Sequence, residues 1–166
     1  VPDLLWDDVK PLFDTEYNGV LPDVVVEGTS TEDWQMLLDL VQSQHWKSEY
    51  VRDGESLALP TAAEMVAEEA ETEGLRVWPV PGVLAIFRAY SAESIDFDLD
   101  LRELQGQERL DVLLEFFTAI GRQLGKSVLM TPEGDAGRPV LGYDVEVDRV
   151  VLLVDPGAYG FADVAG

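Results

Sequence analysis

The segment Ile95-Asp96-Phe97-Asp98-Leu99-Asp100-Leu101 constrains the fold more than any other stretch of this chain. Successive strand residues point to opposite faces. Ile95, Phe97, Leu99 and Leu101 therefore take one face, and Asp96, Asp98 and Asp100 take the other. Such a strand cannot sit between two apolar layers. It requires a sheet with one face on a core and the other in water, the usual state of antiparallel sheets. The run from Leu141 to Asp148 repeats the pattern, with Leu141, Tyr143, Val145 and Val147 inward and Asp144, Glu146 and Asp148 outward. If both strands belong to one sheet, six carboxylates share a surface, with same-face neighbours about 6.5–7 Å apart along each strand.

The remaining pattern supplies helices for the inner face. Ser30 and Asp33 form a capping-box signature ahead of the stripe Trp34, Leu37, Leu38 and Val41, which predicts a helix ending near His45. Thr61 and Glu64 start a second helix, from Ala62 to about Glu73, stopped by Gly74. The third and strongest runs from about Gln107 to Leu124, with Gly125 as its C-terminal cap. Strands are expected at Asp23–Glu27, Trp46–Val51, Glu55–Leu59, Leu75–Val80, Val83–Tyr90, Ser127–Met130, Val140–Val147 and Val150–Val154. Asp53-Gly54 is a hairpin turn in which both central residues need positive φ. The order strand, helix, strand, Gly turn, strand occurs from Asp23 and again from Asp96, so a βαββ unit used twice is a candidate topology. The expected fold is α+β: one globular domain over residues 1–166, built on an antiparallel-rich sheet with about three helices largely on one side. A short arm (1–20) precedes it and a loosely held tail (156–166) follows.

Charge bounds the partners. Thirty-three acidic residues face eleven basic ones, a formal net charge of −22, in a chain that is 46% hydrophobic. A chain this apolar can bury a core, so the carboxylates must lie mostly at the surface. That body repels nucleic acid and anionic membranes and attracts basic partners. There is no cysteine, which excludes disulfides and thiol chemistry and fits a reducing, cytoplasmic setting. The first residues, Val1-Pro2-Asp3-Leu4, lack the pattern of a signal peptide. The single histidine, His45, at a predicted helix end, is read as a partner of the last helical carbonyls.

Three readings of the acidic strands stand side by side. The plainest is a solvated sheet face whose acids discourage edge pairing. The second is a docking face for a basic protein, built from Asp96, Asp98, Asp100, Asp144, Glu146 and Asp148, with Trp78 as an aromatic anchor beside Pro79-Val80-Pro81-Gly82. The third is a divalent-metal site on Asp96, Asp98 and Asp100 serving a hydrolase or nucleotidyl-transfer enzyme. That enzyme reading lacks a Gly-rich phosphate loop with its lysine, and no cofactor is expected. The docking reading is preferred: a non-catalytic protein that captures a basic partner, such as an inhibitor neutralising a toxin, or a nucleic-acid mimic occupying a DNA-binding site. In composition the chain resembles the small, acidic, cysteine-free immunity proteins of bacterial toxin systems, a likeness that rests on no motif. An acidic proteome would produce the same composition without any partner.

Overall fold

Val24 and Val26 are fully buried, whereas Asp23 and Glu27 at either end of the same strand are exposed. A strand that is apolar at its centre and acidic at its ends fits the middle of a half-covered sheet. That is its place in the computed structural model, which describes residues 2–67, 72–133 and 137–156. The strands are β1 (Asp23–Glu27), β2 (Lys47–Arg52), β3 (Glu55–Leu57), β4 (Thr72–Val80), β5 (Val83–Arg88), β6 (Ser94–Asp98), β7 (Val128–Thr131), β8 (Leu141–Asp144) and β9 (Arg149–Leu152). They form one sheet in the order β3-β2-β4-β5-β6-β1-β7-β8-β9. Every neighbouring pair is antiparallel.

The helices are α1 (Trp6–Val9), α2 (Thr15–Asn18), α3 (Thr31–Ser43), α4 (Ala62–Ala67) and α5 (Gln107–Leu124). α3, α4 and α5 cover one face of the sheet, giving the α+β architecture expected from the sequence. Ser30 and Asp33 cap α3 reciprocally: the Asp33 amide donates to Ser30 Oγ at 3.3 Å, and the Ser30 amide donates to Asp33 Oδ2 at 3.1 Å. Thr61 and Glu64 cap α4 in the same way. α5 ends at Gly125 in the left-handed conformation, φ +65°. Its buried stripe includes the expected leucines, Phe117 and Ile120, and also Phe116, whose ring meets Trp46, Phe87 and Phe97. Burying each such side chain contributes roughly 1.5–3 kcal/mol. On the far side of the core, Trp34 is fully buried and its indole N–H donates to the Ser91 carbonyl at 3.2 Å.

The βαββ order does recur, as β1-α3-β2-β3 and β6-α5-β7-β8. In both units the helix joins two parallel strands. β6 and β7 are each antiparallel to β1, and β1 and β2 are separated by four antiparallel steps. The reach differs, because α5 crosses one intervening strand and α3 crosses three.

Several boundaries differ from expectation. Thr72 and Glu73 belong to β4, not to the end of a helix, and residues 68–71 lie outside the described residues. Gly74 is therefore not a helix stop. It sits within β4 at φ +94°, opposite Val51, where the register slips between Val51 and Arg52. A Cβ there would lie 2.6 Å from the Phe87 carbonyl oxygen. Only glycine tolerates both that φ and that approach. β3 and β5 are shorter than expected, and residues 157–166, most of the expected tail, lie outside the described residues. The Asp53-Gly54 turn is as expected, with φ +53° and +77°. None of the helices among the described residues is long and apolar enough to cross a membrane.

Candidate functional site

The face of the sheet away from α3 and α5 carries the alternate residues of each strand. On β6 these are Ser94, Asp96 and Asp98, half-exposed between the buried Ile95 and Phe97. On β5 they include Ile86 and Arg88, and on β1 Asp23 and Val25. Register then decides which charges meet. Asp98 stands opposite Asp23 on one side and Ile86 on the other, while Asp96 stands between Val25 and Arg88.

The Arg88 guanidinium reaches diagonally to the Asp98 carboxylate in a close ion pair. The Ser94 hydroxyl donates to Asp96 Oδ2 at 2.8 Å. Asp23, Arg88, Asp96 and Asp98, with Tyr90, Thr131 and Gly137, line an open cleft of about 620 Å³. Burial pushes the Asp23 carboxyl above its ordinary value, and the Asp98 side chain and the charges of Asp96 and Glu133 push the same way. The Glu133 carboxylate accepts from the amides of Val20 and Leu21, at 2.9 and 3.2 Å, which holds the approach to β1 beside the end of β7.

The six carboxylates grouped from sequence do not share one surface. Asp96 and Asp98 lie at the centre of the open face. Asp100 does not, because β6 ends at Asp98. Its side chain accepts from the Arg102 amide at 2.9 Å and pairs with the Arg102 guanidinium at 2.8 Å. That hydrogen bonding holds its carboxyl below the ordinary range. Asp144 lies on β8, three strands from β6, or about 14 Å at the usual strand spacing.

The alternation beyond Asp144 is broken by a turn over residues 145–148, closed by the Asp148 amide on the Asp144 carbonyl at 2.9 Å. Glu146 lies in that turn, and Val145 and Val147 are exposed instead of facing inward. Asp148, at φ +54°, turns to the helix side. There it takes both Arg122 nitrogens, at 2.8 and 3.1 Å, and the Tyr143 hydroxyl at 2.5 Å. Arg122 and Tyr143 hold Asp148 below the ordinary carboxylate range. Burial, then the bond to Asp148, raises the Tyr143 hydroxyl.

Trp78 is half-buried on the open face of β4, two strands from β6, with Lys47 Nζ 4.9 Å from its ring centroid. Beside it the Arg76–Glu49 pair spans 3.5 Å. His45 follows α3 at φ +56°, and its backbone amide, which donates to the Gln42 carbonyl at 3.1 Å, makes the helix-end contact. Among the described residues no three histidine or acidic side chains converge on a point that could hold a metal ion. The Asp96, Asp98, Asp100 ligand set is not assembled, since Asp100 is turned into its own cap.

No family model matches this chain, and neither a curated protein nor a solved structure resembles it significantly. Two members of the open face, Asp23 and Arg88, are not among the docking residues expected from the sequence. Asp23 opens the β-branched run Val24-Val25-Val26, which reads as a strand buried on both faces. Its partner Asp98 is 75 positions further along the chain. Asp23 and Glu27, at positions of the same parity on either side of Val24 and Val26, were the available signal.

Proposed function

We propose that the protein is a non-catalytic binding protein that captures a basic protein partner on the open face of its sheet, as an inhibitor or immunity protein would. The observation that supports this reading is the juxtaposition of Asp23, Asp96 and Asp98 at the centre of a sheet face that α3 and α5 leave uncovered. Arg88, the cation beside them on β5, is engaged by Asp98. Like charge held this close is unfavourable without a counter-charge, and a partner's lysines or arginines would supply it. The body's −22 net charge would steer such a partner from a distance.

The test is capture of binding proteins from the source lysate at low and high salt, with the parent chain and an Asp23→Asn, Asp96→Asn double variant as baits. The proposal expects one basic protein, retained at low salt, released by salt and lost with the double variant. Equal retention of that protein by both baits would refute the sheet face as its seat.

A further inference from the structure

Between α3 and α5, bordered by the N-terminal arm, lies a second concavity of about 780 Å³. Its apolar floor is Leu40 from α3 with Leu114 and Ala119 from α5, and its carboxylates are Asp3, Asp111 and Glu115. Two of those acids are held in place. The Val150 amide donates to Asp3 at 2.9 Å, and Gln107 donates to Asp111 at 2.8 Å. The cation in the lining, Arg122, is already held by both oxygens of Asp148. The groove is therefore negative above a floor whose two leucines are almost fully covered.

Its shape narrows the occupant further. Asp111, Leu114, Glu115, Thr118, Ala119 and Arg122 recur every three or four residues, so α5 lines about 16 Å of groove. The rim residues Gln44, Glu115 and Arg122 are exposed, so the groove is open along its length. Small-molecule sites enclose their ligands, whereas an open, acidic groove between two helices matches a basic helix laid along it. We propose that this groove seats a short basic amphipathic helix of a partner protein. The helix's apolar side chains would enter over Leu40, Leu114 and Ala119, and its lysines or arginines would meet Asp111 and Glu115. None of these residues lies on the sheet face.

The probe is a fluorescently labelled, helix-forming peptide of leucine and lysine in amphipathic order, with a scrambled peptide of the same composition as control. Fluorescence anisotropy would be read with the parent, with Glu115→Lys, with Gln44→Lys, and with the sheet-face variant Asp96→Asn, Asp98→Asn. Both groove substitutions are at exposed positions, so folding is retained. The expected result is about tenfold weaker binding for each groove variant, the scale of an important interface residue. The sheet-face variant should bind as the parent does, and amide shifts should be confined to α3, α5 and the arm. Parent affinity in both groove variants, equal binding of the scrambled peptide, or equal loss in the sheet-face variant would each overturn the proposal. So would a dimer that Glu115→Lys converts to monomer, since the occupant would then be a second copy.

Discussion

Gly121, in the last turn of α5, has no space for a methyl group: a Cβ there would fall 2.1 Å from a ring carbon of Tyr143. This contact sets how closely the helix sits on β8. Gly121→Ala is expected to destabilise the protein by about 1–3 kcal/mol through overpacking, read as a lower urea midpoint at unchanged m-value. Asp23 carries a different signature. Its carboxyl is raised in the folded protein, so folding disfavours its charged form. That cost is present at neutral pH and is relieved as pH falls through the raised value. Asp23→Asn should therefore raise the urea midpoint at pH 7, and the gain should fade near pH 4. Asp100 and Asp148 have the opposite sign. Their carboxyls are lowered by Arg102 and Arg122, so what they contribute is present at neutral pH and disappears below about pH 4. Single residues were legible where their determinants are local, as with Ser30, Gly125 and the Asp53-Gly54 turn. Asp148 was not, because its orientation depends on a turn closed by its own backbone and on an arginine from α5.

Elements followed the same division. The bounds of α5 were readable from its stripe and its closing glycine, and the capping box placed the start of α3. Ser30→Ala should cost about 1 kcal/mol, the usual worth of such a cap, measured by thermal or urea unfolding. The start of β4 was not readable, since Gly74 after a glutamate-rich segment imitates a helix stop. Its strand conformation comes from pairing with β2 and β5. The acidic face illustrates why alternation alone overreached: period two identifies which side a residue takes, but only while the strand lasts. β6 ends at Asp98 and β8 at Asp144; beyond those points Asp100 accepts from the Arg102 amide, Glu146 lies in a turn, and Asp148 pairs with Arg122. Asp148→Ala should release Arg122 and Tyr143 together and speed hydrogen exchange in the β8–β9 hairpin, while β1 and β6 keep their protection.

At the scale of the whole molecule, net charge sets the response to salt. With a charge of −22, self-repulsion should dominate. Raising NaCl from about 10 mM to about 0.5 M, which shortens the screening length from roughly 30 Å to well under 8 Å, should raise the unfolding midpoint. A fall instead would mean that surface pairs such as Arg122–Asp148 outweigh the repulsion. The sheet order could not be read from the sequence, because it depends on which distant strands meet. β1 pairs with β6 and β7, which begin some 70 and 100 residues later in the chain. That placement governs the order in which the molecule can be made. On a ribosome adding about 5–20 residues per second, β1 waits roughly 5–20 s for both its neighbours to be synthesised. The β2–β3 hairpin, closed by its two-residue turn, can form well before then. β1, beside the central strand and first of the nine to leave the ribosome, is among the last to find its place, and until then Val24 and Val26 must be kept from other partners.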